Sequence, residues 1–322
     1  MNTLLAVDVS LDSLQSGYDS PKSARFVLDK VPNDELGIST LVKQAKDMDA
    51  WLVVEATGCY HIPLVLAAQE AKVCICVLNP AQVRGFARSI GQRSKTDPLD
   101  AKMILGCAKA LKDNDRLTPL RQLSPENLLL KRLLKQRELV VKNRAGMAQA
   151  GISQTVIEAL SNEIARLDAH IKELCKGASD LYGRLLKVPF IGPVGAAYLV
   201  ALLWEPTAFP NAKALVAYVG LDVVLKESGR YKGKSKLSKR GWAALRQVLV
   251  AGLKNAGSPR TKNVVANTFR EYRTRQLNPL KWLGAACAVA RKLIETAWSL
   301  AVHRTEFDPL RFNNRSQTPM DA

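Results

Sequence analysis

Over the first 120 residues, apolar positions come in short runs separated by polar stretches. This is the pattern of strands buried by helices. Thr3–Val9 predicts a strand interrupted late by Asp8, and Ala24–Leu28 predicts a second. Trp51–Glu55 and Val73–Leu78 predict two more, with a helix over 62–71 between them. Strand–helix–strand alternation requires a partly parallel sheet covered by helices. Asn79-Pro80 stops the last strand and opens a helix. A basic loop over 88–96 follows, then a helix over 97–111.

The pattern changes from residue 124. Ile157, Leu160, Ile164, Leu167, Ile171 and Leu174 recur at alternating spacings of three and four, the seam of a coiled coil. Leu130, Leu133, Val140 and Met147 continue the idea upstream, interrupted by Arg137 and Arg144, with Gly151 as the turn between two antiparallel helices. Such a hairpin either packs on its own domain or serves as a dimerisation arm. Val188-Pro-Phe-Ile-Gly-Pro-Val-Gly195 sits between helical stretches and reads either as a helix-hairpin-helix element, a nonspecific DNA-backbone binder, or as a plain αα-turn. Its glycines would let a phosphate approach free amides. Residues 241–303 are helical in pattern, and a loose polar tail is expected from Asp308.

Composition narrows the partner. Lys and Arg total 47 against 29 acidic residues, a formal charge of +18. An excess of this size calls for a polyanion, nucleic acid or an anionic membrane. No apolar run is long enough to span a bilayer, and the acidic start at Asp8 does not read as a signal peptide, so a cytoplasmic location and no membrane partner are expected. Six scattered cysteines without a C-x-x-C pair, with only three histidines, make an ordinary zinc site an unfavoured choice. Glycine-rich nucleotide-binding loops and the G-x-S-x-G elbow are missing.

Four carboxylates stand out by context. Asp8 lies near the end of the first strand and Glu55 ends the third; Asp97 and Asp100 share one face at a helix start. Individually each has a plain role as turn, strand end, cap or surface charge. As a set, strand ends and a helix start can converge. Clustered carboxylates hold protons unless a cation neutralises them. Oxygen donors select Mg²⁺ or Mn²⁺, which serve phosphoryl transfer. Downstream, Lys226, Arg230, Lys232, Lys234, Lys236, Lys239 and Arg240 surround a single acid, Glu227, with Tyr231 as a stacking face. That is a phosphate-contacting stretch. Ser238 within it either caps the following helix or meets a phosphate as a nucleophile.

Taken together, Val7-Asp8-Val9-Ser10, Glu55-Ala-Thr-Gly-Cys-Tyr60, Lys95-Thr-Asp97-Pro-Leu-Asp100-Ala101, the Val188–Gly195 turn and Leu237-Ser-Lys-Arg-Gly241 with Leu245-Arg246 resemble, in order, the DEDD transposases. These are insertion-sequence recombinases with a RuvC-like N-terminal domain, and they include DNA invertases and bridge-RNA-guided recombinases. The resemblance implies an α/β ribonuclease-H-like (RuvC-like) domain over 1–122, a coiled-coil helical hairpin over 123–182, a mainly α transposase domain over 183–307 and a flexible tail over 308–322. It implies Asp8, Glu55, Asp97 and Asp100 as Mg²⁺ ligands and Ser238 as the nucleophile that forms a phosphoserine bond to cut DNA. It also implies donor and target DNA, a noncoding guide RNA and a homo-oligomer, dimer or tetramer, with carboxylates and serine drawn from different subunits. Two rivals use the same residues differently. One is a Holliday-junction-type endonuclease with water as nucleophile; the other is a non-catalytic nucleic-acid-binding protein.

Overall fold

A computed structural model describes residues 3–20, 25–56, 58, 60–92, 97–151, 153–224, 227–228, 231–232, 236–239 and 241–314. The chain divides into two compact units, Met1–Leu123 and Ser124–Ala322.

The first unit is a three-layer α/β/α sandwich. Its elements are β1 (Thr3–Val9), β2 (Ser13–Asp19), β3 (Phe26–Pro32), α1 (Glu35–Asp47), β4 (Ala50–Glu55), α2 (Ile62–Glu70), β5 (Ile75–Leu78), α3 (Pro80–Ser89) and α4 (Asp97–Lys112). The strand order is β3-β2-β1-β4-β5. β1 runs antiparallel to β2 and parallel to β4, and β4 is parallel to β5. Alternation along the strands sends successive side chains to opposite faces. Leu5, Val7, Leu52, Val54 and Ile75 pack with Ile38, Leu41, Leu64 and Val65 of α1 and α2. Leu4, Ala6, Val53, Cys76 and Leu78 pack with Val83, Ile104, Leu105 and Ala108 of α3 and α4.

Six expected elements form near their expected positions, at β1, β4, α2, β5, α3 and α4. The parallel part of the expected sheet lies at β1, β4 and β5. The second strand shifts downstream, from 24–28 to Phe26–Pro32. Sequence reading passed over β2, whose residues Ser-Leu-Gln-Ser-Gly-Tyr-Asp carry no β-branched side chain. That strand persists because both of its edges are paired and because Gly17 makes room for Phe26. A Cβ at Gly17 would lie 2.4 Å from the Phe26 ring. It also passed over α1, capped by the Asp34 carboxylate on the Gly37 amide at 2.8 Å.

The second unit is helical apart from short ribbons. It contains α5 (Pro125–Gln149), α6 (Gln154–Ala178), α7 (Asp180–Leu186), α8 (Pro193–Leu202) and α9 (Ala212–Val219). Next come β6 (Val223–Val224), β7 (Glu227–Ser228), β8 (Tyr231–Lys232) and β9 (Lys236–Leu237). The chain then forms α10 (Ala243–Gly252), α11 (Val264–Thr274), α12 (Trp282–His303) and α13 (Pro309–Asn314). Its core centres on α8 and α12, which bury Tyr198, Leu199, Val289, Leu293 and Ile294. No helix of the described residues is long and apolar enough to cross a membrane.

α5 and α6 form the expected hairpin, turning at Gly151 with φ 71°. The two arginines that interrupt the upstream seam bridge it instead. Arg137 donates to both Asp168 carboxylate oxygens through Nε and Nη2, and Arg144 donates to the Ser161 hydroxyl at 3.3 Å. Of the α6 seam only Leu167 and Ile171 are fully buried, while Ile157, Leu160, Ile164 and Leu174 are half-buried. The tail departs from expectation: α13 forms and buries Phe312 against the core, because one aromatic ring outweighs the polar residues around it. Residues 315–322 lie outside the described ones.

Candidate active site

Asp8 and Glu55 occupy neighbouring, parallel strands. The pairing Val7↔Val54 continues in step to put Asp8 beside Glu55, and alternation places both on the face covered by α3 and α4. Both are half-buried. The Glu55 carboxylate reaches far enough toward α4 to help hold the Cys107 thiol above its usual range, second to burial itself. α4 runs antiparallel to β1. At its C-terminal end Lys109 and Lys112 share a cleft with Thr3, Leu4 and Asp19, and the Lys112 ammonium lies 5.7 Å from the Trp51 ring centre. Strands rise roughly 3.3 Å per residue and helices 1.5 Å. Counting back from those contacts brings the first turn of α4, with Asp97 and half-buried Asp100, level with Asp8 and Glu55.

Three elements thus deliver carboxylates to one end of the sheet. No group of three or more His, Cys, Asp or Glu side chains close enough to hold a metal ion forms among the described residues, and the Asp97 side chain lies outside them. The side chains at this end are carboxylates, and all-oxygen donors suit a hard divalent cation. Sequence reading missed one polar residue that supports this end. The Asn33 side-chain amide donates to the carbonyls of Ser10 at 2.8 Å and Tyr60 at 3.4 Å. It ties the loop after Asp8 to the loop after Glu55.

The serine region is built differently. α9 ends in left-handed Gly220, φ 80°, whose amide caps the carbonyls of Val216 and Ala217. The chain then runs through buried Leu221 and half-buried Asp222 into β6, which pairs with β9 through Val223↔Leu237 and Val224↔Lys236. That ladder continues outward: the Ser238 amide donates to the Asp222 carbonyl at 3.0 Å, and the Lys239 amide to the Gly220 carbonyl at 3.1 Å. Ser238 is half-buried, and its hydroxyl donates to the Asp222 carboxylate. A tight turn follows, with Lys239 at φ 55° and Gly241 at φ 81°. Only glycine fits at 241, where a Cβ would lie 1.8 Å from the Tyr218 carbonyl oxygen.

Two arginines grip the turn from behind. Arg246 donates to the Val219 carbonyl at 2.6 Å and Arg291 to that of Leu221 at 3.4 Å. Burial pushes the Cys287 thiol up, and the charges of Lys239, Arg246 and Arg291 pull it partly back. The capping alternative for Ser238 does not hold: α10 begins at Ala243 with Trp242 at its cap position, four residues on, and Trp242 packs edge-on against Tyr198 at 4.7 Å.

Of the basic stretch, Lys226, Arg230, Lys234 and Arg240 lie outside the described residues. Lys232 is placed by its backbone in β8, and Lys236 by its backbone in β9. Lys239 is exposed. In the Val188–Gly195 turn, Phe190 takes φ 69° and Gly192 precedes α8. Gly195 is buried against Val248 and Leu249, so it serves helix packing. A cavity of about 840 Å³ in the second unit is lined by Lys176, Asp180, Tyr182, Arg184, Lys187 and Trp204 among others, and includes none of the candidate residues.

Two family models match the chain. One, a transposase model of the DEDD type, covers residues 7–154; the other, described as the transposase IS116/IS110/IS902 family, covers 182–268. The chain belongs to this DEDD transposase family. It is 31% identical over 191 residues to the pilin gene-inverting protein of Moraxella lacunata, a match covering 55% of this chain and 58% of that protein. It is 23% identical over 266 residues to a putative transposase y4pF/y4sB of Sinorhizobium fredii, covering 67% and 64% respectively. The chain therefore spans less than two thirds of the length of these relatives. A solved structure of T. thermophilus RuvC in complex with Holliday junction substrate aligns at a TM-score of 0.30 and 15% identity, covering 37% of this chain and 100% of that one.

Proposed function

We propose that the protein is a DNA transposase or recombinase that cuts and rejoins DNA through a covalent bond to Ser238. The observation that carries this reading is the placement of Ser238. It is no helix cap, and it is fixed beside Lys239 and Gly241 at positive φ, with its hydroxyl hydrogen-bonded to a carboxylate, exposed Lys239 next in sequence and two arginines tied to the carbonyls of Val219 and Leu221. Positive-φ residues at a turn cost stability and persist where the surroundings impose them, as at reactive sites. Family membership and the DNA-inverting relative supply the substrate class.

In this reading the Ser238 oxygen attacks a backbone phosphate. The Oγ–P bond forms as the bond to a deoxyribose oxygen breaks, and the phosphodiester energy is kept for rejoining. Reversal by a different hydroxyl exchanges strands with no nucleotide hydrolysis. The N-terminal unit is read as the ribonuclease-H-like (RuvC-like) domain, with Asp8, Glu55, Asp97 and Asp100 as the residues that would hold Mg²⁺ or Mn²⁺. Such an ion, when bound, lowers the pKa of an oxygen nucleophile and offsets phosphate charge. Asp8 and Glu55 sit on paired strands, so their spacing is held without reorganisation.

Lys226, Arg230, Lys232, Lys234, Lys236, Lys239 and Arg240 would bind the phosphate backbone. Contacts of that kind are salt-sensitive and sequence-tolerant. Site choice then falls to a guide RNA that pairs with donor and target DNA while the protein reads duplex shape. Leu139, Met147 and Val156 stay exposed on the outer half of the α5–α6 hairpin and would meet a second copy of the chain in a homo-oligomer, acting in the cytoplasm. The test is rearrangement of a plasmid carrying the joined ends of the encoding DNA segment, with RNA transcribed from its flanks. Wild type should recombine, and Ser238→Ala and Asp8→Ala should not. Recombination surviving Ser238→Ala would refute the reading; cleavage to free ends in that variant would favour a hydrolytic endonuclease.

A further inference from the structure

We propose that Asp222 orients Ser238 and takes its proton, so that the nucleophile is an Asp–Ser pair built within one chain; this rests on the reading of Ser238 as nucleophile.

A serine hydroxyl is a poor nucleophile until a base removes its proton. The contact that does so here is already made: Ser238 Oγ donates to Asp222 Oδ1. The pair is separated by 16 residues of sequence but lies side by side on one ladder, because Val223 pairs with Leu237 and the Ser238 amide donates to the Asp222 carbonyl. Backbone bonds on both sides, including Lys239 to Gly220 at 3.1 Å, fix the relative position of the two side chains. The arrangement needs no induced movement of either one, which is how a base and its nucleophile are pre-organised.

A carboxylate beside a DNA phosphate would repel it unless positive charge intervened. That charge is present. Arg291 is bonded to the carbonyl of Leu221, the residue before Asp222, and Arg246 to the carbonyl of Val219. Exposed Lys239 follows Ser238 directly. The Asp222 carboxylate accepts the serine hydroxyl. The remaining lone pairs of Oγ are the ones that meet phosphorus.

Oγ bonds to phosphorus and the bond to the deoxyribose oxygen breaks. The Oγ proton passes to Asp222, and the released oxygen takes a proton from water. In rejoining, an incoming hydroxyl attacks the phosphoserine and gives its proton to water, and Oγ leaves with the proton held by Asp222.

The experiment measures the rate of protein–DNA adduct formation on joined-end DNA with flank RNA and Mg²⁺, from about pH 5 to about pH 9.5, for wild type, Ser238→Ala, Asp222→Asn and Asp222→Glu. Asp222→Asn should slow adduct formation about 100-fold or more at neutral pH, the usual contribution of a general base. Its rate should keep climbing with pH where wild type is level, as hydroxide replaces the missing base. A merely structural role would lower the rate by one factor at every pH, and that result would overturn the proposal. If Asp222→Asn unfolds in a thermal melt, Asp222→Glu carries the test: a level profile above neutral pH supports the base, and a rate that climbs like hydroxide catalysis removes it. Wild-type behaviour of Asp222→Asn, with no adduct from Ser238→Ala, would discard Asp222 and leave the nucleophile standing. An adduct that persists in Ser238→Ala would remove both.

Discussion

The two candidate centres are constructed on opposite principles. The carboxylate end of the first unit hangs on regular elements: a strand, its parallel neighbour and a helix start. The serine turn of the second unit hangs on irregular backbone, with Gly220, Lys239 and Gly241 at positive φ and arginines tied to main-chain carbonyls. A site on regular elements tolerates side-chain change and loses only its ligand donors. A site on a strained turn fails as a unit when its backbone is disturbed, because nothing periodic restores it.

The largest effect that sharpens this contrast is on chemistry. Ser238→Ala should lower covalent DNA attachment by more than about 10³-fold, since removing a nucleophile removes the step itself. Its thermal midpoint should fall by several degrees at most, as a hydrogen bond to a charged group is worth about 1.5–3 kcal/mol. The check is adduct yield beside a melting curve.

Next, Asp8→Asn and Glu55→Gln should each remove the rise in thermal midpoint that Mg²⁺ gives to wild type. A ligand at 100 times its dissociation constant stabilises by about 2.7 kcal/mol. Ser238→Ala should retain that rise in full. Differential scanning fluorimetry with and without EDTA reads both, and a Mg²⁺ response that survives in Asp8→Asn would break the assignment of the metal to the first unit.

Gly241→Ala should cost about 2–4 kcal/mol, because the added methyl collides with the Tyr218 carbonyl and the φ is unfavourable. Hydrogen exchange should quicken around Tyr218 and Ser238 while β1 and β4 stay protected. Equal loss in both units would contradict the separation of the two constructions.

The smallest effect lies in the hairpin. Burial holds the half-buried Lys131 ammonium below its usual pKa of 10.5. The folded protein therefore sheds that proton at lower pH than the unfolded chain. Below the folded pKa the desolvation penalty is present in full; stability rises with pH from there to 10.5. Lys131→Met should gain about 1 kcal/mol at neutral pH and flatten the alkaline rise. Urea unfolding at two pH values measures it.

What could be read from the sequence follows the same division. Runs such as Leu4–Val9 and Leu52–Glu55 are short and apolar with an acid at or next to the end, so the sheet and its acidic ends were visible before the structure. β2 was not, because its pairing on both sides overrides weak residue preference. Phe312 gave no periodic signal, so the helix it anchors was read as loose. Ser238 was visible, but its neighbour Asp222 was not. Fifteen residues, five of them basic, separate the two in sequence, and only the ladder brings them together. Arg137 and Arg144 read as flaws in a seam until their partners on the opposite helix appeared.

The most direct test of the central claim is to map the DNA attachment point. Wild-type protein would be incubated with Mg²⁺, flank RNA and nicked joined-end DNA, then denatured, digested with nuclease and trypsin, and analysed by tandem mass spectrometry. The expected result is a phosphodeoxynucleotide mass on the peptide containing Ser238, on its Oγ. A nucleotide mass on any other residue, or cut DNA with free 3′-hydroxyl and 5′-phosphate ends and no modified peptide, would contradict it.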